Sequence, residues 1–341
     1  MKIECLSCRK MYDIPDERLM SINKSAFNCP ACNSLITIEL PVATKGGDED
    51  GHDASGGATI AVSEELKNEI YTAIKALEPM PEVVHKAREV MTSPNATFKK
   101  IGAVIETDQA ISAKFLRIAN SAYYGLSGRV SSIHQAMVVL GNDTIEQVVN
   151  TAGASKLFSN TMQGYDLPPD VQWKHSLAVA SGARIIASKR NPALESDAFT
   201  AGLLHDIGKN ILDGFVLENK SDFKTLRMDH NSSRKAEEEL FWFDHPQIGG
   251  LVCEEWKLPE IQAIGIKYHH DPLKSGGNDL AYFLYLSNYL AGKCGFGAEK
   301  TLEEEAIPDE VLSFVSLKEA DLPAIMDEVA AYVGNVSSSM F

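Results

Sequence analysis

What the chain has little of narrows its function first. No run of residues approaches the roughly 18 consecutive apolar positions of a spanning helix, so no membrane span is expected. The opening MKIECLSCRK has no apolar core of the kind a secretory signal needs. The expected compartment is therefore the reducing cytoplasm, where disulfides are rare. Basic residues are outnumbered: 32 Lys and Arg stand against 47 Asp and Glu, for a net charge of −15. Such a field repels phosphate polymers, which argues against nucleic acid as a partner. Beyond residue 63 no stretch alternates apolar and polar residues as a half-buried strand does, and no repeat of fixed period is visible. What remains is an ordinary soluble composition, 44% apolar and 23% charged, in a chain long enough for two or three domains.

Cysteine is scarce but not evenly so. Of six, four lie in the first 32 residues as two Cys-x2-Cys pairs, Cys5/Cys8 and Cys29/Cys32. Each pair can form a knuckle that turns two thiolates onto one ion, and two knuckles complete a closed tetrahedral site. Zinc is the expected metal, although a rubredoxin-like iron site uses the same donors. A unit of this size buries little core, so the metal is expected to hold it folded. The stretches CLSCRKMYDIPDERL and FNCPACNSLITIEL resemble a bacterial zinc-ribbon module found at the start of regulatory proteins. That resemblance implies a structural site with short strands over 1–40 and an adaptor role. Residues 41–62, rich in Gly and Asp, read as a flexible linker containing His52. Cys253 and Cys294 stand alone and are expected to be thiols within helices.

From residue 63 the pattern turns helical. Ser63 precedes Glu64 and Glu65, a cap followed by acids that suit the helix dipole. Leu66, Ile70, Ile74 and Leu77 then recur at helical spacing. The LPPD at 167–170 interrupts the chain before another helix, VQWKHSLAVASGARIIASKR. An amphipathic helix is expected around LPAIMDEVAAYVG in the tail, 301–341.

Histidine carries the functional signal. His85, His134 and His230 read as incidental single residues on helices. The others are grouped differently: His175 follows Trp173, His205 adjoins Asp206, His245 lies in FDHPQIGG, and His269 and His270 are adjacent in KYHHDP. Imidazole and carboxylate suit Fe, Mn, Ni or Zn, and a carboxylate can bridge two ions. Two ions a few ångström apart would clamp a phosphodiester and supply a hydroxide. Each residue taken singly is equally a helix-end side chain with no such role.

The order His, then His-Asp, then further ligands resembles the HD phosphohydrolase superfamily. Residues 108–141, DQAISAKFLRIANSAYYGLSGRVSSIHQAMVVLG, with GLLHDIGK, FDHPQIGGLVCEEWKLPE and IKYHHDP, resemble the HDOD family, the HD-related output domain. The resemblance implies an all-α fold, with an N-terminal helical part at 63–165 and an HD-like part at 166–300. It places His175, His205, Asp206, His245, His269 and His270 at ligand positions, with Asp206 bridging. Lys209 matches a lysine that contacts substrate phosphate in related cyclic-dinucleotide phosphodiesterases. The final acid of the motif falls on Asn288, a weak neutral ligand, and Val171 stands where some relatives carry a Glu for a third metal. The Gly-Tyr-Pro segment of those phosphodiesterases is replaced by DPLKSGGNDL. The expectation is one firm metal position (Asp206, His245, His269, His270) and a weaker one (His175, His205, Asp206, Asn288). Two functions follow. The first is a regulatory output protein that binds a signalling partner or small nucleotide. The alternative is an active metal-dependent phosphohydrolase using Asp206 and Lys209.

Overall fold

The computed structural model describes residues 64–77, 79, 81–124, 130–158, 160–297 and 306–337, together with four short strands in the first 37 residues. It divides into two compact units, Met1–Thr59 and Ile60–Phe341. In the first unit, β1 (Lys2–Glu4) pairs antiparallel with β2 (Met11–Asp13), Ile3 opposite Tyr12. β3 (Ala26–Asn28) pairs likewise with β4 (Leu35–Thr37), Phe27 opposite Ile36. Cys5, Cys8, Cys29 and Cys32, the linker with His52, and Ser63 lie outside the described residues.

The second unit is built from helices. Six form its first half: α1 (Glu64–Ala76), α2 (Glu82–Thr92), α3 (Phe98–Ile105), α4 (Gln109–Ala119), α5 (Ile133–Leu140) and α6 (Asn142–Ala154). Their starts follow local chemistry. Thr97, Asp108 and Ser132 each accept a backbone N–H of the first turn of α3, α4 and α5. Gly141, at φ +76°, ends α5 in a conformation that favours glycine. α7 (Pro169–Arg190) starts at the proline of LPPD, where a missing N–H costs nothing. It is buried on nearly all sides, from Gln172 through Ala187, as expected of a helix at the centre of a bundle.

Around α7 pack α8 (Glu195–Leu204), α14 (Asp279–Ala291) and α16 (Leu322–Ser337). Gly202 of α8 makes the closest of these approaches. A Cβ there would stand 2.4 Å from the Ala180 Cα, so only glycine lets the two helices cross at this distance. The remaining helices are α9 (Ile207–Glu218), α10 (Lys220–His230), α11 (Ser233–Phe241), α12 (His245–Glu255), α13 (Glu260–Lys267) and α15 (Asp309–Val315). The tail is integral: Val329, Tyr332, Val333 and Val336 of α16 belong to the main apolar cluster.

The apolar interior forms two clusters. One gathers α2 to α8 with α13 to α16 and Cys253 of α12, around Phe115, Trp173, Phe199 and Phe283. The other gathers α1 and α9 to α12, around Ile70, Leu212, Phe223 and Phe241. Burying each such side chain contributes roughly 1.5–3 kcal/mol. Leu203 and Leu204 belong to the first cluster and Ile207 to the second, so the two residues between them lie on the seam. No described helix is long and apolar enough to cross a membrane.

Candidate metal centre

The two seam residues are His205 and Asp206, the joint between α8 and α9. The other polar residues of the seam also come from helix ends, apart from His175 in the body of α7. His245 is the first residue of α12, behind Asp244, whose carboxylate caps that helix by accepting from the Gln247 N–H. His269 and His270 follow the end of α13. Gly208 explains how α9 and α12 come together. A Cβ on it would stand 2.0 Å from the His245 carbonyl oxygen, so the glycine of HDIGK is required by contact.

The structure brings His175, His205, Asp206, His245, His269 and His270 into one place. Two groups, His245/His269/His270 and His175/His205/Asp206, each present ligand atoms within 4.8 Å of one another. Asp206 lies between them. Its Oδ2 is 3.6 Å from His175 Nε2 and accepts from Lys209 Nζ at 2.8 Å. Its Oδ1 is 3.6 Å from His205 Nε2, 3.3 Å from His245 Nε2 and 3.9 Å from His269 Nε2. All of these side chains are buried except His270, which is partly exposed and forms the edge of the site.

Outer contacts set the protons. His175 Nδ1 is 2.9 Å from the Phe296 carbonyl, His205 Nδ1 is 2.8 Å from that of Gly202, and His269 Nδ1 is 2.7 Å from that of Ile266. A carbonyl can only accept, so each Nδ1 carries the proton and each Nε2 presents a lone pair inward. His175 Nε2 and His205 Nε2 face each other at 3.1 Å, and His269 Nε2 is buried with no hydrogen-bond partner. Converging lone pairs repel one another unless a proton or a cation lies among them. Burial opposes the proton: with the neighbouring His205 it lowers His175 to about 3. Burial also lowers His205, His269 and His270. The donor set fits a divalent transition metal, with backbone carbonyls orienting the ligands as metal-binding histidines require.

Two ionisable groups behave differently. Burial opposes ionisation of Asp206, but Lys209 and the surrounding histidines hold it well below the usual carboxylate range. Burial also opposes protonation of His245, yet the Glu237 carboxylate behind it and Asp206 before it raise it to about 9. Glu237 had been hidden in the charge run KAEEEL. It accepts from both the backbone N–H and the ring Nδ1 of His245, each at 2.7 Å. A signal was present: Ser233, Ala236, Glu237, Leu240 and Phe241 share one helical face, and all are buried.

Asn288 is buried on α14, and among the described residues no hydrogen bond or ion pair joins its side chain to the histidines. Of the incidental histidines, His134 is exposed, whereas His230 has an acid partner, Glu239, at 2.8 Å on the surface.

The helical architecture and the buried His/Asp cluster at its helix ends define an all-helical domain with a candidate metal cleft. The HDOD domain profile matches residues 77–272, more than half of the chain, and the chain belongs to that family. An HDOD domain protein of unknown function from Geobacter sulfurreducens has a similar fold. It aligns with a TM-score of 0.61 at 24% identity, over 81% of this chain and 93% of that one. A provisionally named phosphohydrolase from Shewanella amazonensis aligns with a TM-score of 0.63 at 21% identity, over 80% and 98%. A provisionally named signal transduction protein from Marinobacter aquaeolei aligns with a TM-score of 0.64 at 23% identity, over 82% and 67%. An uncharacterized protein of Treponema pallidum is 22% identical over 208 residues, which is 60% of this chain and 40% of that protein. The chain thus spans about two fifths of that relative's length.

Proposed function

We propose that the protein is a regulatory output protein of signal transduction whose HD-like cleft binds divalent metal. One observation carries this reading. The Nε2 atoms of His175, His205 and His269 converge with their protons held on the outer nitrogens, in a buried space beside an ionised carboxylate. Asp206, His245, His269 and His270 would hold one ion. His175, His205 and Asp206, with Asn288, would hold a second more weakly. The metal would be Fe, Mn, Ni or Zn. The occupant of the cleft in signalling would be a protein segment or small nucleotide that meets the metal at the partly exposed His270 edge. The names of the Marinobacter and Shewanella relatives point in the same two directions, regulation and phosphate chemistry.

The second reading, a phosphohydrolase, is favoured by Lys209. Its ammonium is buried against Asp206 Oδ2 rather than extended into solvent. Bound divalent ions would supply a Lewis acid and a nucleophile at neutral pH. The chain's own part is positional. The carbonyl contacts orient the imidazoles, Asp206 stays ionised, and Lys209 brings a positive charge to where phosphate oxygens would gather.

A zinc ribbon at the N-terminus, held by Cys5, Cys8, Cys29 and Cys32, completes the reading. β1 ends at Glu4, directly before Cys5, and β3 ends at Asn28, directly before Cys29. Each thiolate pair would thus follow a strand, in the reducing cytoplasm that keeps thiols available.

Metal content tests the proposal. The whole chain, purified without chelator or metal-affinity tag, is compared with its His269→Ala/His270→Ala variant. The expected result is at least one equivalent of Fe, Mn, Ni or Zn lost in the variant, while the ribbon's metal stays. Equal metal content in the two folded proteins would sink the reading.

A further inference from the structure

We propose that Glu237 is a positioning residue that makes His245 the strongest imidazole donor of the cleft once a metal ion has displaced its inner proton, with Tyr165 holding Glu237 in turn. The inference rests on the metal-site reading above and extends it to a residue outside the ligand set.

The geometry sets His245 apart from its neighbours. His175, His205 and His269 each give their outer N–H to a backbone carbonyl. His245 gives its own to a carboxylate, Glu237 Oε2, at 2.7 Å. The same oxygen accepts the His245 backbone N–H at 2.7 Å. That N–H is one of the first-turn donors of α12 that no helical carbonyl can satisfy. One carboxylate oxygen therefore fixes both the backbone and the ring of His245. The other oxygen, Oε1, accepts from the Tyr165 hydroxyl at 2.9 Å. Tyr165 stands on the far side of the carboxylate, packed edge-on to Phe223 with ring centroids 5.4 Å apart. Glu237, Tyr165 and Phe223 are all buried.

The chemical consequence concerns the inner nitrogen. A carboxylate that accepts the Nδ1 proton draws it outward and leaves more electron density on Nε2, which a carbonyl does less strongly. In the neutral ring it also excludes the Nε2–H tautomer, because a carboxylate has no proton to give back to Nδ1. His245 Nε2 is the atom that lies 3.3 Å from Asp206 Oδ1 and 3.2 Å from His270 Nε2. Donation is therefore enhanced on the His245/His269/His270 side of the cleft. A purely structural Glu237 would tie α11 to α12 without altering the metal affinity.

The test uses the full chain and Mn2+ alone, followed by loss of the free-ion electron paramagnetic resonance signal. Mn2+ has little affinity for the ribbon's thiolates. Glu237→Gln is expected to keep the fold and weaken Mn2+ binding by about 10- to 100-fold. In 15N NMR of the metal-free proteins above pH 9, where the His245 ring is neutral, the variant is expected to shift part of the ring proton from Nδ1 to Nε2. Tyr165→Phe leaves the carboxylate in place and is expected to weaken binding measurably but less than Glu237→Gln does. His269→Ala is the control for the site itself. If His269→Ala abolishes Mn2+ binding while Glu237→Gln binds as tightly as wild type, the positioning role is wrong and the metal site stands. If His269→Ala also binds as wild type, the site reading fails and this inference with it. If Glu237→Gln does not fold, unchanged affinity in a folded Tyr165→Phe overturns the relay.

Discussion

The two halves of the cleft are made from similar residues but are wired differently. On one side, His245, His269 and His270 are all imidazoles, and the negative charge sits behind them on Glu237. On the other, His175 and His205 share their group with Asp206, and the opposing charge is Lys209, 2.8 Å from that carboxylate. Asp206 faces both sides, but only the His245 side has a second carboxylate behind its ligands, whereas on the His175 side Lys209 neutralises Asp206 in part. A buried carboxylate paired with lysine is less available to a cation than one that faces it alone. The comparison says that ligand identity alone does not rank metal positions, since what stands behind each ligand sets its strength.

The largest effect should come from Asp206, which touches both halves. Asp206→Asn is expected to empty both positions and to leave the Lys209 charge buried without its carboxylate. Breaking such a pair costs roughly 3–5 kcal/mol. Urea denaturation of the chelator-treated protein, with metal analysis of the untreated one, would check this. A loss of metal from one side only would mean that Asp206 does not bridge.

Gly208→Ala should act next, and on one half alone. Its Cβ would collide with the His245 carbonyl at 2.0 Å, so α12 must shift. Overpacking of this kind costs about 1–3 kcal/mol or more. The His245 side is expected to lose metal while the His175 side keeps it. Retained Mn2+ affinity with unchanged stability would show that the two helices are not in contact as described.

The halves should also separate by pH in the metal-free protein. His175 is lowered to about 3, so below pH 6.5 the unfolded chain takes up a proton that the fold refuses. Its contribution is present above 6.5 and declines by about 1.4 kcal/mol per pH unit below it. His245 is raised to about 9, the opposite case. Its contribution is full below 6.5 and is lost as pH rises toward 9, by about 1.4 kcal/mol per unit. Denaturation midpoints at pH 5.5, 7 and 8.5 should therefore fall on both sides of a maximum near neutrality. A single monotonic slope would contradict the opposite wiring of the two histidines.

The smallest expected effect is a gain. Asn288→Asp would return the acid of the HD motif and is expected to raise occupancy on the His175 side a few-fold, about 2- to 10-fold by the charge it adds. Mn2+ titration of the His269→Ala/His270→Ala background isolates that side. No rise there would remove Asn288 from the ligand set, in keeping with the absence of any hydrogen bond from its side chain to the histidines among the described residues.

Much of this was legible in the chain itself. The helical starts at Thr97, Asp108, Ser132 and the LPPD proline are local chemistry, so short stretches of sequence contain them. The adjacency of His205 with Asp206, and of His269 with His270, is likewise written in the sequence. The HDOD motifs are what make the six possible ligands a set in the sequence. Glu237 was missed because a glutamate within a run of three reads as a solvated face. Only its position among Ala236, Leu240 and Phe241 on one side of α11 turns it inward. The amphipathic pattern of the tail predicts its helix, but that α16 lies in the main core against α7 is something no local pattern of the tail could say.

The sequence by itself determined the helices, their caps and the residue types able to bind metal, because these depend on neighbours within a few positions along the chain. Tertiary structure decided which nitrogen of each histidine faces inward. It also decided that Asp206 answers to both halves and that a carboxylate rather than a carbonyl stands behind His245. These follow from contacts between residues as far apart as His175 and Phe296, or Tyr165 and Glu237. A proton's location and a ligand's strength are set by the atom across a hydrogen bond, and only the packing of distant helices brings that atom into place.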